Sequence, residues 1–403
     1  MAQINRATAE RLRDPKCARS SPSFNLQGTG ERKLRCGITS MVDRRLACVR
    51  LLGTYVISRR SCATTSGRSE QRSRERIMPA QDSPPTTGPS SENRRRPSRR
   101  LVVLLALAAT VLIGTLGYIK FYVARPVGSG PAGPRIVAAP FANTWTQKPV
   151  RIVAFGDSIT AGLGAKSRDH NYVQRLVANP DDEYSDMQGK CLSKVLPDVT
   201  VDNFAISGTT SLQHVDQIAQ NLPIFSQDEY GIVLLTTGGN DIIHNYGRTP
   251  PREGAMFGAT LQQAERWIEN FHTRLEGMIV SFNRAFPGGC EIYLADIYDP
   301  TDGDGDGASI FLPPWPDGLR IHARYNATIR TVAAEHSNVF VVPIHSEFLG
   351  HGAHSQKSWH RHYRSADPHY WYFNNVEDPN DRGYDAIRRV FLQTIIDNTS
   401  LRE

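Results

Sequence analysis

From residue 149 onward, short apolar runs take turns with stretches whose apolar residues recur every three or four positions. The runs containing Ile152–Phe155, Val199–Ala205, Gly231–Thr237, Cys290–Ile297 and Val339–Ile344 are strand-length and apolar, as expected of strands buried on both faces of a parallel sheet. Between and around them, Tyr172–Ala178, Met187–Val195, Ser211–Leu222, Leu261–Ala285, Leu319–His336 and Arg382–Asp397 carry helical spacing. The alternation predicts an α/β domain over 149–400. Its most economical topology is a three-layer, flavodoxin-like arrangement, with a parallel five-stranded sheet joined by right-handed crossovers. In such a sheet ligands bind beyond the carboxyl ends of the strands. The loops that reach that edge begin near Ser158, at Ser207-Gly208, at Gly238-Gly239-Asn240-Asp241, at Asp296 and at His345.

A different pattern precedes the domain. Leu101–Ile119 is an uncharged, mostly apolar run of 19 residues, enough for a helix to cross the roughly 30 Å hydrocarbon layer. Arg94, Arg95, Arg96, Arg99 and Arg100 stand before it, against Lys120 and Arg125 after it. That asymmetry predicts a single-pass anchor with a cytoplasmic amino end and an extracytoplasmic catalytic domain. A cleaved signal peptide is the alternative, although Tyr122-Val123-Ala124 matches a cleavage site poorly. Residues 120–148, with several Pro and Gly, read as a linker between membrane and domain.

Charge divides the chain at the same place. Residues 1–100 hold 22 Lys and Arg against 8 Asp and Glu, a net of +14, which leaves −7 for the remainder of a chain whose formal charge is +7. This first segment is rich in Ser, Arg, Thr and Pro and has no sustained period, so it reads as a disordered cytoplasmic tail. Residues 1–77 would be an over-extended start if translation begins at Met78. The Arg runs lack aromatic interleaving and any recognised module, so no nucleic-acid partner is expected. Cys17, Cys36, Cys48 and Cys62 match no zinc spacing, and Cys191 and Cys290 read as buried free thiols, with a disulfide between them as the alternative.

Candidate chemistry gathers at the strand ends. Ile152–Phe155 runs into Gly156-Asp157-Ser158, which presents a serine hydroxyl at the ligand edge, although Asp and Ser there also serve as helix caps. Gly208 offers a bare backbone N–H after the second strand, and Asn240 an amide after the third. A hydroxyl, a bare N–H and an amide at corresponding positions are the parts of an acyl-transfer site, a nucleophile with an oxyanion hole.

With these blocks the chain resembles the SGNH, or GDSL, hydrolase family over about 149–400: Gly156-Asp157-Ser158 as the first block, Gly208 as the second, Gly239-Asn240-Asp241 as the third. The resemblance implies metal-independent, cofactor-free ester or thioester hydrolysis on a flavodoxin-like fold. It also implies Ser158 as nucleophile and the N–H groups of Ser158 and Gly208 with the Asn240 amide as the oxyanion hole. The fourth block departs from the family. Where the family has Asp-x-x-His, this chain has Asn375-Val376-Glu377-Asp378.

A serine needs a proton acceptor. One candidate is an imidazole from the loop carrying His345, His351, His354, His360, His362 and His369, foremost His351 or His354 in Gly350-His351-Gly352-Ala353-His354, oriented by Asp378 or Glu377. A second is Asp378 itself, which needs a raised carboxyl pKa. A third is that the site binds without turnover. Asp302-Gly303-Asp304-Gly305-Asp306-Gly307 imitates the start of a calcium loop, but Pro313 occupies the twelfth position, so a solvated acidic loop and no metal are expected. Phe311–Pro316 and Tyr370–Phe373 supply aromatic surface for a sugar, an acyl chain or the core. The expectation is a membrane-anchored serine hydrolase acting on a small-molecule, glycan or lipid ester. The alternatives are a silent carbohydrate or lipid binder on the same fold, and an acyltransferase acting on surface glycans.

Overall fold

The computed structural model describes residues 98–402; the expectations placed on residues 1–97, including the tail, the start at Met78 and the four tail cysteines, lie outside the described residues. Five strands form one parallel sheet: β1 (Val150–Phe155), β2 (Val199–Asn203), β3 (Tyr230–Leu235), β4 (Cys290–Ala295) and β5 (Val339–Val342), in the order β2-β1-β3-β4-β5. Strand β1 is flanked on both sides, with Ile152 level with Val201 of β2 and with Ile232 of β3. Its turn into Ser158 therefore opens at the carboxyl edge between the turns that follow β2 and β3.

Alternation along the strands divides the core into two layers. Ile152, Ala154, Ile232 and Leu234 pack with helices α3 (Tyr172–Val177) and α9 (Asp381–Asn398). Val153, Phe155, Val233 and Leu235 pack with α6 (Leu261–Ala285) and α7 (Gly318–Glu335), and with Ile218 of α4 (Ser211–Asn221). Helices on both faces explain why the strands are apolar at every position. Short helices α2 (Ser158–Ala161), α5 (Gly239–Ile243) and α8 (Ile344–Phe348) start at the strand-end turns.

The run from residue 101 is helical: α1 (Arg99–Tyr118) continues to Phe121, has a mean hydropathy of 2.4, and is the one helix among the described residues long and apolar enough to cross a membrane. Its apolar side chains are exposed.

Two stretches differ from expectation. Met187–Val195 forms turns and a single 3-10 turn, Leu192–Lys194, because Gly189 takes a left-handed conformation with its N–H held by Asn179. Met187, Leu192 and Val195 still fill the core. The segment read as a linker is strapped to the domain from Val127 onward: Arg382 donates to the carbonyls of Val127, Gly130 and Pro131, and Asp385 Oδ2 accepts the Ala132 N–H at 3.0 Å. Ala132, Ile136, Phe141 and Trp145 are buried with α9. Pro and Gly give this chain an extended, low-profile path, and buried α9 side chains take up its free carbonyls. Cys191 and Cys290 are buried free thiols.

Candidate active site

Ser158 opens α2 directly after β1. The turn requires glycine at 156, where φ is +151° and a Cβ would stand 2.2 Å from Thr236 Oγ1. The helix cap is Asp157, not Ser158: Asp157 Oδ1 accepts the Ile159 N–H at 3.1 Å and the Thr236 hydroxyl at 3.2 Å. Ser158, half-buried, keeps its hydroxyl for other partners.

The turns after β2 and β3 are tied to this one. Gly156 O accepts the Ile206 N–H at 3.1 Å and the Thr209 hydroxyl at 3.3 Å, and Asn240 Nδ2 donates to Thr209 O at 2.8 Å. That bond uses one of the two amide hydrogens of Asn240, leaving the second. Gly208, at φ +84°, has no heavy atom within 4 Å of where a Cβ would stand, so its backbone borders open space. Two buried residues lock the turns from behind. Asp241 accepts from the Ser211 N–H at 2.7 Å and the Ser211 hydroxyl at 2.5 Å, and the His214 ring bridges the Thr209 and Thr237 hydroxyls at 2.9 and 2.8 Å. Burial lowers the His214 pKa to about 4, so this ring is a neutral strut.

The fourth block reaches Ser158 through Asp378. Oδ2 of this buried carboxylate accepts from Asn375 Nδ2 at 2.5 Å, whereas Oδ1 is buried without a hydrogen bond of ordinary geometry. Burial raises the Asp378 pKa, and hydrogen bonding to the Ser158 hydroxyl and to Asn375 offsets part of that rise. Glu377 is raised to about 7 by burial and by the charge of Asp378, and Tyr246 donates to its Oε2 at 3.2 Å. Asp157 rises to about 6, again chiefly by burial. Val376, a β-branched residue, sits at φ +71° immediately before these carboxylates, a strained conformation of the kind found at functional sites.

The loop histidines stand elsewhere. His351 stacks on Trp371 with ring centroids 3.4 Å apart, and its Nδ1 faces His369 O at 3.0 Å. The ring nitrogen Nε2 of His354 lies 3.0 Å from Asp306 Oδ1. His345 neighbours His322, His360 and His362 neighbour each other, and His369 pairs with Asp367. None of these contacts includes Ser158, so the exchange of the fourth-block base for His351 or His354 is not what the geometry displays. Sequence reasoning left Asn375 without a role; the signal was the retained x-x spacing to Asp378, with both residue types changed together. Tyr370, Trp371 and Tyr372 are core residues, while Phe373 is exposed.

A serine at the carboxyl end of β1, tied to glycine and asparagine turns, coincides with a sequence match: the model of the GDSL-like Lipase/Acylhydrolase family covers residues 154–386. The chain belongs to this family. It is an ester hydrolase of the GDSL type, on a parallel five-stranded sheet flanked by helices. Among solved structures similar to this GDSL hydrolase is a member of the lipolytic protein G-D-S-L family from Veillonella parvula, 15% identical, covering 62% of this chain and 97% of that one with a TM-score of 0.37. An extracellular lipase from Streptomyces rimosus is 16% identical over 62% of this chain and 100% of that one, at a TM-score of 0.42. A catalytic mutant of an acetylxylan esterase from Geobacillus stearothermophilus is 15% identical over 62% and 96%, at 0.40. No curated protein matches the chain.

Proposed function

We propose that the chain is a membrane-anchored ester hydrolase in which Ser158 is the nucleophile and Asp378, rather than a histidine, accepts its proton. The observation that carries this reading is a buried carboxylate of raised pKa, Asp378, under the influence of the Ser158 hydroxyl and held at Oδ2 by Asn375. A carboxylate of ordinary pKa is too weak a base to help serine much; burial strengthens it.

Ser158 Oγ bonds to the acyl carbon as its proton passes to Asp378. The oxyanion is received by the N–H groups of Ser158 and Gly208 and the free amide hydrogen of Asn240. Collapse expels the alcohol, which takes the proton back from Asp378, and water then hydrolyses the acyl-enzyme by the same transfers. Exposed Leu163, Ile206 and Phe373 border these turns and support a substrate with an apolar portion, a lipid, glycan or small-molecule ester. The five arginines before the apolar run that starts at Leu101 support an extracytoplasmic domain.

Fluorophosphonate labelling of the full chain in detergent, with hydrolysis of short-chain nitrophenyl esters, tests the reading. Labelling is expected in the native chain, absent in Ser158→Ala, and near native in His351→Ala and His354→Ala. A native rate in Asp378→Asn with loss in either histidine variant would return the base to the histidine loop. A native chain that never labels would favour the silent binder.

A further inference from the structure

We propose that Asp304, His354 and His360, with Asp306 beside them, form a binding site for a divalent first-row transition ion of the zinc type. The acidic loop and the histidine loop, which the sequence treats as unrelated, converge here. His354 Nε2 lies 3.0 Å from Asp306 Oδ1 and 3.6 Å from Asp304 Oδ2, and His360 Nε2 lies 3.2 Å from the same Asp304 oxygen. One ligating atom each from Asp304, His354 and His360 falls within 4.8 Å of the others.

Four donors around a tetrahedral zinc at 2.0–2.1 Å stand about 3.4 Å from one another. The two separations measured within the group, 3.6 and 3.2 Å, straddle that value. Both rings are more than nine-tenths buried, with side chains 1% and 7% exposed. Although His360 Nε2 points at Asp304, it makes no hydrogen bond of proper geometry, and His354 Nδ1 is also buried without one. Two buried imidazole nitrogens, His354 Nε2 and His360 Nε2, thus converge on one carboxylate oxygen, Asp304 Oδ2, an arrangement that a cation would bridge. Two nitrogen donors and a small ligand count favour zinc over calcium, which takes six to eight oxygens.

The site is shaped by the protein itself. Asp302 accepts the N–H groups of Gly350, Gly352 and His354 at 2.8 to 2.9 Å, fixing the turn that delivers His354. Asp299 accepts from the Thr301 and Gly303 N–H groups at 2.8 Å, fixing the loop that delivers Asp304 and Asp306. Arg361 approaches Asp304 only at the other carboxylate oxygen, 3.9 Å away, and leaves Oδ2 to the rings. The bound ion would pin the histidine loop to the loop after β4.

Equilibrium dialysis of chelator-stripped full chain against zinc, read by elemental analysis, tests this, with cobalt(II) absorption reporting the ligand geometry. The native chain is expected to bind one more equivalent than His360→Ala, and to show the intense absorption of tetrahedral cobalt. Because Asp304 is substantially exposed, Asp304→Asn retains the fold and loses affinity by about tenfold or more. Zinc should also raise the unfolding temperature of the native chain and not of Asp304→Asn. His272→Ala, in a second His/Glu cluster on α6 and α7, should bind as the native chain does. Equal stoichiometry in native, His360→Ala and Asp304→Asn chains, loss of the equivalent in His272→Ala, or calcium displacing zinc would each overturn the proposal.

Discussion

Asn375 grips Asp378 twice: its Nδ2 donates to the carboxylate Oδ2 at 2.5 Å, and its Oδ1 accepts the Asp378 backbone N–H at 3.2 Å. In the family's Asp-x-x-His arrangement the first residue orients the second; here an amide orients a carboxylate across the same spacing. Asn375→Ala is therefore expected to lower kcat about tenfold and Asp378→Asn by about a hundredfold or more, the range for loss of a general base. Replacing both residues together, Asn375→Asp with Asp378→His, restores the family pair and should recover activity over Asp378→His alone. Ester hydrolysis by the four variants decides it, and an Asn375→Ala enzyme with native kcat would show that the amide grip does not matter.

The base must be ionised to act, so activity is lost as pH falls through the Asp378 pKa. Because burial raises that pKa from 3.8, the acid limb of kcat/KM is expected above the ordinary aspartate range. Glu377, which keeps its proton up to about pH 7, is neutral while Asp378 ionises. Glu377→Gln should therefore leave the acid limb where it is. An acid limb that disappears in His351→Ala or His354→Ala and persists in Asp378→Asn would point to an imidazole base.

The sheet was readable because both its faces are buried, which makes each strand an uninterrupted apolar run; β1, β3 and β4 fall within two residues of expectation at each end. Three of the four blocks were readable for a related reason: Gly156, Gly208 and Gly238 mark turns whose positive φ excludes other residues. Met187–Val195 was not, since its apolar residues meet the core by turns and periodicity does not distinguish the two. The choice between the candidate bases, the loop histidines and Asp378, was not readable either. Histidines are defined by what surrounds them, and the aspartates around His354 and the Trp371 face under His351 come from contacts that residue order does not reveal.

Asp385 anchors a buried charge network that joins α9 to α3. Its Oδ1 accepts from Arg388 at 2.5 Å and Arg389 at 3.0 Å, Arg175 stands 3.5 Å away, and Glu183 pairs with Arg175 and Arg388. The neighbouring arginines hold the Asp385 carboxyl below its usual range. Removing one partner of such a set leaves buried arginines uncompensated, so Asp385→Ala is expected to cost about 3–5 kcal/mol in denaturant unfolding. It also frees the Ala132 N–H, and protease cleavage within residues 127–145 should accelerate. A variant as stable as the native chain would mean that water reaches these arginines.

Glu377 makes the sign of the pH dependence testable on stability as well. Its folded pKa, about 7, lies above the ordinary glutamate value of 4.5 expected when unfolded, so between these values the folded chain holds a proton that the unfolded chain has released. Folding stability from this group is fully present below pH 4.5 and is lost as pH rises through 7. A glutamine side chain in its place would be neutral throughout. Native and Glu377→Gln chains should unfold alike near pH 4, and by pH 8 the variant should be the more stable, by about 2 kcal/mol after discounting the shift for partial exposure. Urea unfolding at the two pH values measures the gap. A gap that stays constant from pH 4 to 8 would show that Glu377 ionises as freely in the folded chain as in water, and with it the crowding of charge beside Asp378 would disappear.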